Sequence, residues 1–141
     1  MRRVACPWLA ASVPLVLVAG ILMPLALRRV EVAGTSMAPG LLPGDRLAVL
    51  GRPAWAWGRL VRPGAVVVVR DPRRRERVLV KRVAGVSGAG VVVLGDRPEA
   101  STDSRDFGPV PRSDVVGVAV YRYGPSHRTG RLSRCAADVP G

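Results

Sequence analysis

Several residue types are scarce in this chain, and each scarcity narrows the functions that the chain can have. The 141 residues include two cysteines and one histidine, His127, which lies in a polar Gly/Ser/Arg-rich segment. So few cysteines and histidines argue against a Ser/His/Asp triad and against clustered metal ligands, and we therefore expect neither metal nor cofactor. Aromatic residues make up 4% of the chain. With no recognisable nucleic-acid motif, this argues against nucleic acid as the partner despite a net charge of +12.

The chain has a single lysine, Lys81, and the other 21 of its 22 Lys and Arg residues are arginines. Arginine stays protonated in proteins, whereas a lysine in a low-dielectric site can lose its proton and act as a base. Strand alternation would place Lys81 on the same face as Leu79 and Val83, where a solvated charge is unusual. With Ser36 upstream, the pattern indicates a Ser/Lys dyad. A lysine left over from coding bias is the competing interpretation.

The N-terminal region contains a long uncharged stretch. From Trp8 to Leu27 the chain has no charged residue, and a helix of that length would span about 30 Å, which matches the bilayer core. We therefore expect residues 1–29 to form one N-terminal transmembrane anchor. A cleaved signal peptide is the alternative, although its apolar region is usually about 7 to 15 residues long.

The remainder of the chain is basic. Residues 30–141 hold 18 of the 22 basic residues and all ten acidic ones, a net charge of +8. We expect this part to be attracted to anionic membrane lipids. Orientation stays open on charge alone, because Arg2 and Arg3 before the apolar stretch are matched by Arg28 and Arg29 after it.

Beyond the anchor, short Val-rich runs alternate with Gly, Pro and Asp, a pattern typical of a mainly β domain folded as a compact sheet or barrel. We expect this domain to occupy residues 30–125 and residues 126–141 to form a flexible tail. The predicted strands are Val30–Val32, Arg46–Leu50, Ala65–Arg70, Val78–Val83, Val91–Leu94 and Val115–Tyr121.

Three motifs follow one another along the chain. They are Gly34-Thr35-Ser36-Met37-Ala38-Pro39, then Lys81-Arg82-Val83-Ala84-Gly85, then Gly95-Asp96 with Ser101-Thr102-Asp103-Ser104-Arg105-Asp106-Phe107-Gly108-Pro109-Val110. In this order and spacing the motifs resemble those of the type I signal peptidase family, membrane-anchored Ser/Lys proteases that remove leader peptides. Only 14 residues separate Lys81 from Asp96, so the chain resembles a small member with a minimal catalytic core.

The resemblance implies a role for each motif residue. Ser36 would be the nucleophile, and its backbone N–H would be an oxyanion donor. Lys81 would be the general base and then the acid that protonates the leaving amine. The Ser101 hydroxyl would orient the Lys81 amine. Asp103 and Arg105 would brace the site as an ion pair without reacting.

The resemblance also implies a substrate. An extended segment of a leader-bearing precursor would pair with a sheet edge and be cut after small residues, as in an Ala-x-Ala sequence. The catalytic domain would lie outside the cytoplasm. Some family members use a hydroxyl two residues before the nucleophile as a second oxyanion donor, but that position is Gly34, so the second donor is unassigned.

Three alternatives remain at this stage. The chain resembles small relatives that mature a single precursor, such as that of nickel superoxide dismutase. It could instead be a non-catalytic basic membrane adaptor, although retention of Ser36, Lys81 and Ser101 together argues against this. A self-cleaving repressor would share the Ser/Lys chemistry, but it would carry a DNA-binding module in place of the apolar stretch.

Overall fold

The structure is a computed structural model that describes residues 27–51 and 57–134. Antiparallel strands dominate these residues, which confirms the mainly β prediction. The strands are β1 (Leu27–Glu31), β2 (Arg46–Gly51), β3 (Val66–Asp71), β4 (Arg74–Ser87), β5 (Gly90–Leu94), β6 (Val115–Gly124) and β7 (Gly130–Arg131). The helices are α1 (Trp57–Leu60) and α2 (Ser104–Phe107), with 3-10 turns at Pro98–Ala100, Arg112–Asp114 and Ser126–Arg128.

The strands form one sheet in the order β1-β2-β6-β3-β4-β5, and β7 pairs with the far end of β6. Among the described strands, β1 and β5 lie at the two ends without pairing to each other, so the sheet is open rather than a closed barrel. Register shifts occur between β2 and β6, β3 and β4, β3 and β6, and β4 and β5. Such irregularities increase the local twist and bend the strands.

All six predicted strands are present, and β4 is longer than predicted. The sequence indicated Val78–Val83, whereas β4 runs from Arg74 to Ser87. The charged residues at its start continue the β3–β4 hairpin, in which Asp71 pairs with Arg74. Charged side chains can occupy that position because they are exposed to solvent there. Arg74 and residues 78–81 of β4 pair with β3, and no residue from 74 to 81 pairs with β5, which leaves that edge unpaired among the described strands.

The core lies on both faces of β3. Val67 and Val69 belong to one buried apolar cluster, while Val66 and Val68 belong to the other. A strand that is buried on both faces is a continuous apolar run rather than an alternating one, which explains the four consecutive valines.

The predicted anchor falls mostly outside the described residues, which begin at residue 27. Its last three residues, Leu27 to Arg29, belong to β1, so the sheet begins before the predicted domain start at Val30. No helix in the ranges that the structure describes is long and apolar enough to span a membrane.

The predicted flexible tail needs correction for residues 126–134. Gly130–Arg131 forms β7 against Tyr121 and Arg122. Leu132 packs against the apolar cluster that contains Met37. These contacts tie the segment to the sheet, while residues 135–141 lie outside the described ranges.

Asp45 connects this C-terminal segment to the loop that carries Ser36. The Asp45 side chain is 1% exposed. It accepts hydrogen bonds from Arg128 at 2.9 and 3.0 Å, from Arg122 at 3.2 Å and from the Leu42 backbone N–H at 2.9 Å. Burial alone would raise the pKa of Asp45, but these hydrogen bonds and positive charges lower it overall. Both arginines also donate to the Gly40 carbonyl.

We expect this cluster to stabilise the fold cooperatively. Arg128→Gln should lower the free energy of unfolding by about 1–3 kcal/mol, because Arg122 still pairs with Asp45. The double variant Arg122→Gln/Arg128→Gln should lose about 3–5 kcal/mol, since it leaves a buried carboxylate without a cation. Urea denaturation at neutral pH measures both. Arg131→Gln, on the same segment but exposed, is the control, and an equal loss in this control would contradict the assignment.

Candidate active site

Ser36 lies in the loop between β1 and β2, where short-range hydrogen bonds fix the backbone. The Ala38 N–H donates to the Thr35 carbonyl at 3.0 Å, and the Leu41 N–H donates to the Met37 carbonyl at 2.8 Å. Met37 and Leu41 are buried in the apolar core. Because the residues on its C-terminal side are anchored in this way, Ser36 is held half-buried at the wall of a cleft.

Lys81 reaches the same cleft from β4. It pairs in register with Val67, and Val67, Leu79 and Val83 share one apolar cluster, as the predicted alternation requires. Lys81 is 3% exposed. Burial lowers the pKa of Lys81, and the positive charges of Arg77 and Arg105 lower it further, while the negative charge of Asp103 opposes them. This environment favours the neutral amine that a general base needs.

A chain of hydrogen bonds leads from Lys81 to Asp103. The Lys81 Nζ donates to the Ser101 Oγ at 3.0 Å, and the Ser101 hydroxyl donates to the Asp103 Oδ2 at 2.6 Å. Because the hydroxyl proton points to Asp103, a lone pair of the Ser101 oxygen faces the amine. The lysine can then donate one proton to Ser101 and keep its own lone pair free for another group.

Asp103 is fully buried and carries several contacts at once. It accepts from the Gly95 backbone N–H at 2.8 Å and from the Arg105 guanidinium at 2.6 and 2.9 Å. Burial alone would raise the pKa of Asp103, but the hydrogen bonds from Arg105, Gly95 and Ser101 hold it well below the ordinary value. It also caps α2, where it forms a capping box with Asp106.

The structure therefore brings Lys81, Ser101, Asp103 and Arg105 into one network and places Ser36 on the wall of the same cleft. The cleft has a volume of about 210 Å³ and is lined by Ser36, Lys81, residues 30–35 and residues 77–80, among others. Among the hydrogen bonds of the described residues, none joins the Ser36 hydroxyl to Lys81. Catalytic hydrogen bonds are often long without substrate and tighten once it binds.

Gly95 brings the two serines close together, and its role was not anticipated from the sequence. A Cβ at this position would overlap the Ser101 side chain and lie 2.7 Å from the Ser36 carbonyl oxygen. The Ser36 carbonyl also accepts a hydrogen bond from the Arg97 N–H at 2.9 Å. Glycine allows this close backbone approach. The Gly95-Asp96 pair stood in the third motif, which was the available signal for it.

Arg82, the neighbour of Lys81, was also missed as a site residue. It forms a two-point ion pair with Asp96 at 2.8 and 2.7 Å. Its remaining nitrogen donates to the carbonyls of Gly64 and Ser133 at 2.9 and 2.8 Å. A charged residue inside a buried Val-rich strand was the signal in the sequence, because such a residue needs a partner.

The described residues contain no group of three or more His, Cys, Asp or Glu that could hold a metal ion. The arrangement can thus present a hydroxyl and a buried amine to a peptide in the cleft, with the Asp103 carboxylate fixed behind Ser101.

Comparison with known proteins identifies the class as a peptidase. A family model described as signal peptidase, peptidase S26, matches residues 5–93 and 89–124. The chain therefore belongs to the signal peptidase family, peptidase S26, which confirms the resemblance at the level of the family.

Individual relatives agree with this assignment. The mitochondrial ATP-independent inner membrane protease subunit 1a of Arabidopsis thaliana is 37% identical over 125 aligned positions, covering 72% of this chain and 73% of that protein. The mitochondrial inner membrane protease subunit 2 of Schizosaccharomyces pombe is 30% identical over 120 positions, covering 72% and 67%. Signal peptidase I of Leptolyngbya laminosa is 46% identical over 41 residues, 29% of this chain and 20% of that protein.

We expect Gly95→Ala to disrupt the site. The added methyl group would push Ser101 away from Lys81 and strain the backbone beside Ser36. Such overpacking typically costs about 1–3 kcal/mol of stability, and peptidase activity should fall by more than the folded fraction does. Measurement of activity per folded molecule, with circular dichroism as the folding monitor, separates the two effects. Gly85→Ala is the control, because nothing lies within 4 Å of a Cβ there. Wild-type activity in Gly95→Ala would contradict the proposed crowding.

Proposed function

We propose that this chain is a membrane-anchored serine endopeptidase that uses a Ser36/Lys81 dyad to remove leader peptides from exported precursor proteins, cutting after small residues. The observation that carries the proposal is the Lys81 amine, buried and hydrogen-bonded to a neutral hydroxyl at 3.0 Å, in a cleft that Ser36 also lines. No carboxylate is hydrogen-bonded to the Lys81 amine among the described residues, so Lys81 does not serve as half of a structural ion pair. It is well placed for reversible loss of a proton.

In the first step the neutral Lys81 amine takes the Ser36 hydroxyl proton as the Ser36 oxygen attacks the scissile carbonyl carbon. The tetrahedral intermediate places a negative charge on the former carbonyl oxygen, where the Ser36 backbone N–H is the proposed donor. The Lys81 ammonium then gives its proton to the leaving nitrogen as the C–N bond breaks. The products of this step are a free amine and an ester of Ser36.

In the second step water replaces the serine oxygen. Lys81, again neutral, takes a proton from a water molecule that attacks the ester carbonyl. Collapse of the second intermediate passes the proton from the Lys81 ammonium to the Ser36 oxygen and releases a carboxylic acid, which ionises by losing its proton to water. Throughout the cycle, Ser101 holds the amine in place, and Asp103 holds the Ser101 hydroxyl.

The substrate would bind as an extended strand between two unpaired strand edges. One wall of the cleft is formed by residues 30–36, at the outer edge of β1 and just beyond it. The other is formed by residues 77–81, a part of β4 that does not pair with β5. Backbone N–H and C=O groups on such edges can bind a peptide strand with little dependence on its side chains. Small residues next to the scissile bond would fit the narrow cleft.

Membrane location is part of the proposal. The uncharged stretch from Trp8 to residue 26 would anchor the chain by a single span, and the names of the relatives include inner membrane proteases. The catalytic domain would face away from the cytoplasm, where exported precursors emerge. Its net positive charge would keep it near anionic lipids.

Substitution of either dyad residue should abolish cleavage. In the detergent-solubilised chain, Ser36→Ala and Lys81→Arg should each lower kcat/KM for a fluorogenic Ala-x-Ala leader peptide by at least about 10³-fold. Lys81→Arg is the sharper variant, because it keeps the positive charge and removes the base. Ser113→Ala, an exposed serine outside the cleft, is the matched control.

The outcomes of this experiment are distinct. Activity that persists in Lys81→Arg would show that the dyad assignment is wrong. A wild-type chain inert on leader peptides of varied sequence would point to a single dedicated precursor or to a non-catalytic member. Labelling of Ser36 by a serine-directed acylating probe distinguishes these two cases.

The pH dependence should report the charge balance around Lys81. Activity requires the neutral amine, so kcat/KM should rise with pH through the pKa of Lys81. Arg105→Gln removes a positive charge that lowers this pKa and also unmasks Asp103, which raises it. Both effects have the same sign, and the rise in activity should move to higher pH. Arg97→Gln, an exposed arginine paired with Glu99, should leave the profile in place. A shift of the Arg105→Gln profile to lower pH would contradict this account.

A further inference from the structure

The charged side chains that line the cleft include one acidic residue and three basic residues. Its titratable side chains are those of Glu31 on the β1 wall, of Arg77 and Lys81 on the β4 wall, and of Arg73 in the turn before β4. Lys81 is accounted for by its hydrogen bond to Ser101. The other three precede Ser36 or Lys81 along the chain, and their contacts decide which charge is available to a substrate.

Of these three charges, only Arg73 forms an ion pair with the described residues, and Glu31 has an opposite charge as its register partner. Arg73 binds the Asp71 carboxylate with its side chain at 3.4 Å and with its backbone N–H at 2.9 Å, and it lies over the Phe107 ring. Glu31 stands directly opposite Arg46 across the β1–β2 pair, a position at which side chains of opposite charge attract.

Arg77 differs from both. Its side chain is exposed, and it makes no hydrogen bond or ion pair with the described residues. Asp71, a carboxylate whose pKa is lowered by the charge of Arg77, is 1% exposed and already binds Arg73. Arg77 therefore presents an uncompensated guanidinium on the wall of the cleft.

The position of Arg77 relative to Lys81 sets a distance along the substrate. Residues 78–81 of β4 pair in regular register with β3, and a register shift lies between Arg74 and Val78, so Arg77 immediately precedes the regular part of the strand, four residues before Lys81. At a rise of about 3.3 Å per residue, the two positions are roughly 13 Å apart. A peptide strand beside β4 has the same rise, so a side chain next to Arg77 belongs to a residue about four positions from the one next to Lys81.

The acyl half of the substrate, which precedes the scissile bond, is the half that would lie beside Arg77. Four successive antiparallel pairings lead from β1 to β4, so the two strands run in the same direction, and the two walls end at residues 36 and 81. The acyl half stays bound to the enzyme after the leaving amine departs. It is the half that must be held in the cleft while water attacks.

We propose that Arg77 forms a subsite for an acidic side chain of the peptide substrate, about four residues before the scissile bond. This inference rests on the proposed endopeptidase function. It adds a preference for Asp or Glu to the expected preference for small residues beside the cut. Since the pair would be partly exposed, its contribution should be modest, about 2- to 5-fold in kcat/KM, and it should shrink at high salt.

A matched peptide series tests the subsite. Leader peptides that carry Asp, Asn or Lys at each of positions two to six before the bond are compared with wild type, Arg77→Gln, Arg77→Glu and Arg74→Gln. In wild type the Asp-to-Asn ratio of kcat/KM should peak at about the fourth position. The ratio should fall to about one in Arg77→Gln, and Arg77→Glu should prefer Lys. Arg74, an exposed arginine of the same strand that does not line the cleft, should be dispensable for the preference.

Binding to the full-length Ser36→Ala chain, followed by fluorescence anisotropy, tests the subsite without catalysis. An Asp peptide should bind more tightly than its Asn counterpart, and the added Arg77→Gln change should erase the difference. A preference that is independent of position, or is lost equally in Arg74→Gln, would reduce the effect to general electrostatics and overturn the proposal. Failure of wild type to cut any peptide would count against the endopeptidase function, while the binding comparison would still decide the subsite.

Discussion

The buried ion pair between Arg82 and Asp96 is the constraint on which the site depends. Two charges removed from water destabilise a fold unless each is fully hydrogen-bonded. Arg82 meets this requirement through four contacts, two to Asp96 and one each to the carbonyls of Gly64 and Ser133. These partners belong to the turn before β3, the loop after β5 and the C-terminal segment. One side chain thus fixes the position of β4 relative to three other parts of the chain, and Lys81 is its immediate neighbour.

Lys81 and Arg82 show how burial can serve opposite purposes at adjacent positions. Both are nearly inaccessible to solvent. Arg82 faces a carboxylate and two carbonyl groups, so its permanent charge is matched. Lys81 faces a hydroxyl at 3.0 Å, which stabilises an ammonium much less than a carboxylate would. Exchange of the two residue types would place an unmatched charge at one position and a weaker, point-like donor at the other. The neighbours of each position therefore decide which basic residue it can accept.

The sequence predicted the local features well and the distant contacts poorly. Val-rich runs located six strands, because β-branched residues fill a half-buried pleated surface. The face of Lys81 followed from simple alternation. The role of Arg128 did not, because its partner Asp45 is 83 residues away, and an arginine in a polar segment has the same local pattern whether it is solvated or paired. The open sheet, too, depends on which edge strands pair, which no local pattern specifies.

The carboxylate of Asp103 introduces a conflict that the structure resolves with Arg105. Asp103 is needed to hold the Ser101 hydroxyl, but a buried anion near Lys81 favours the protonated ammonium and so works against a base. Arg105 binds both oxygens of Asp103 while its own side chain is 45% exposed. Solvent stabilises the Arg105 guanidinium, and its positive charge offsets the negative charge of the buried Asp103 carboxylate. The carboxylate can therefore orient the site while much of its electrostatic effect on Lys81 is removed.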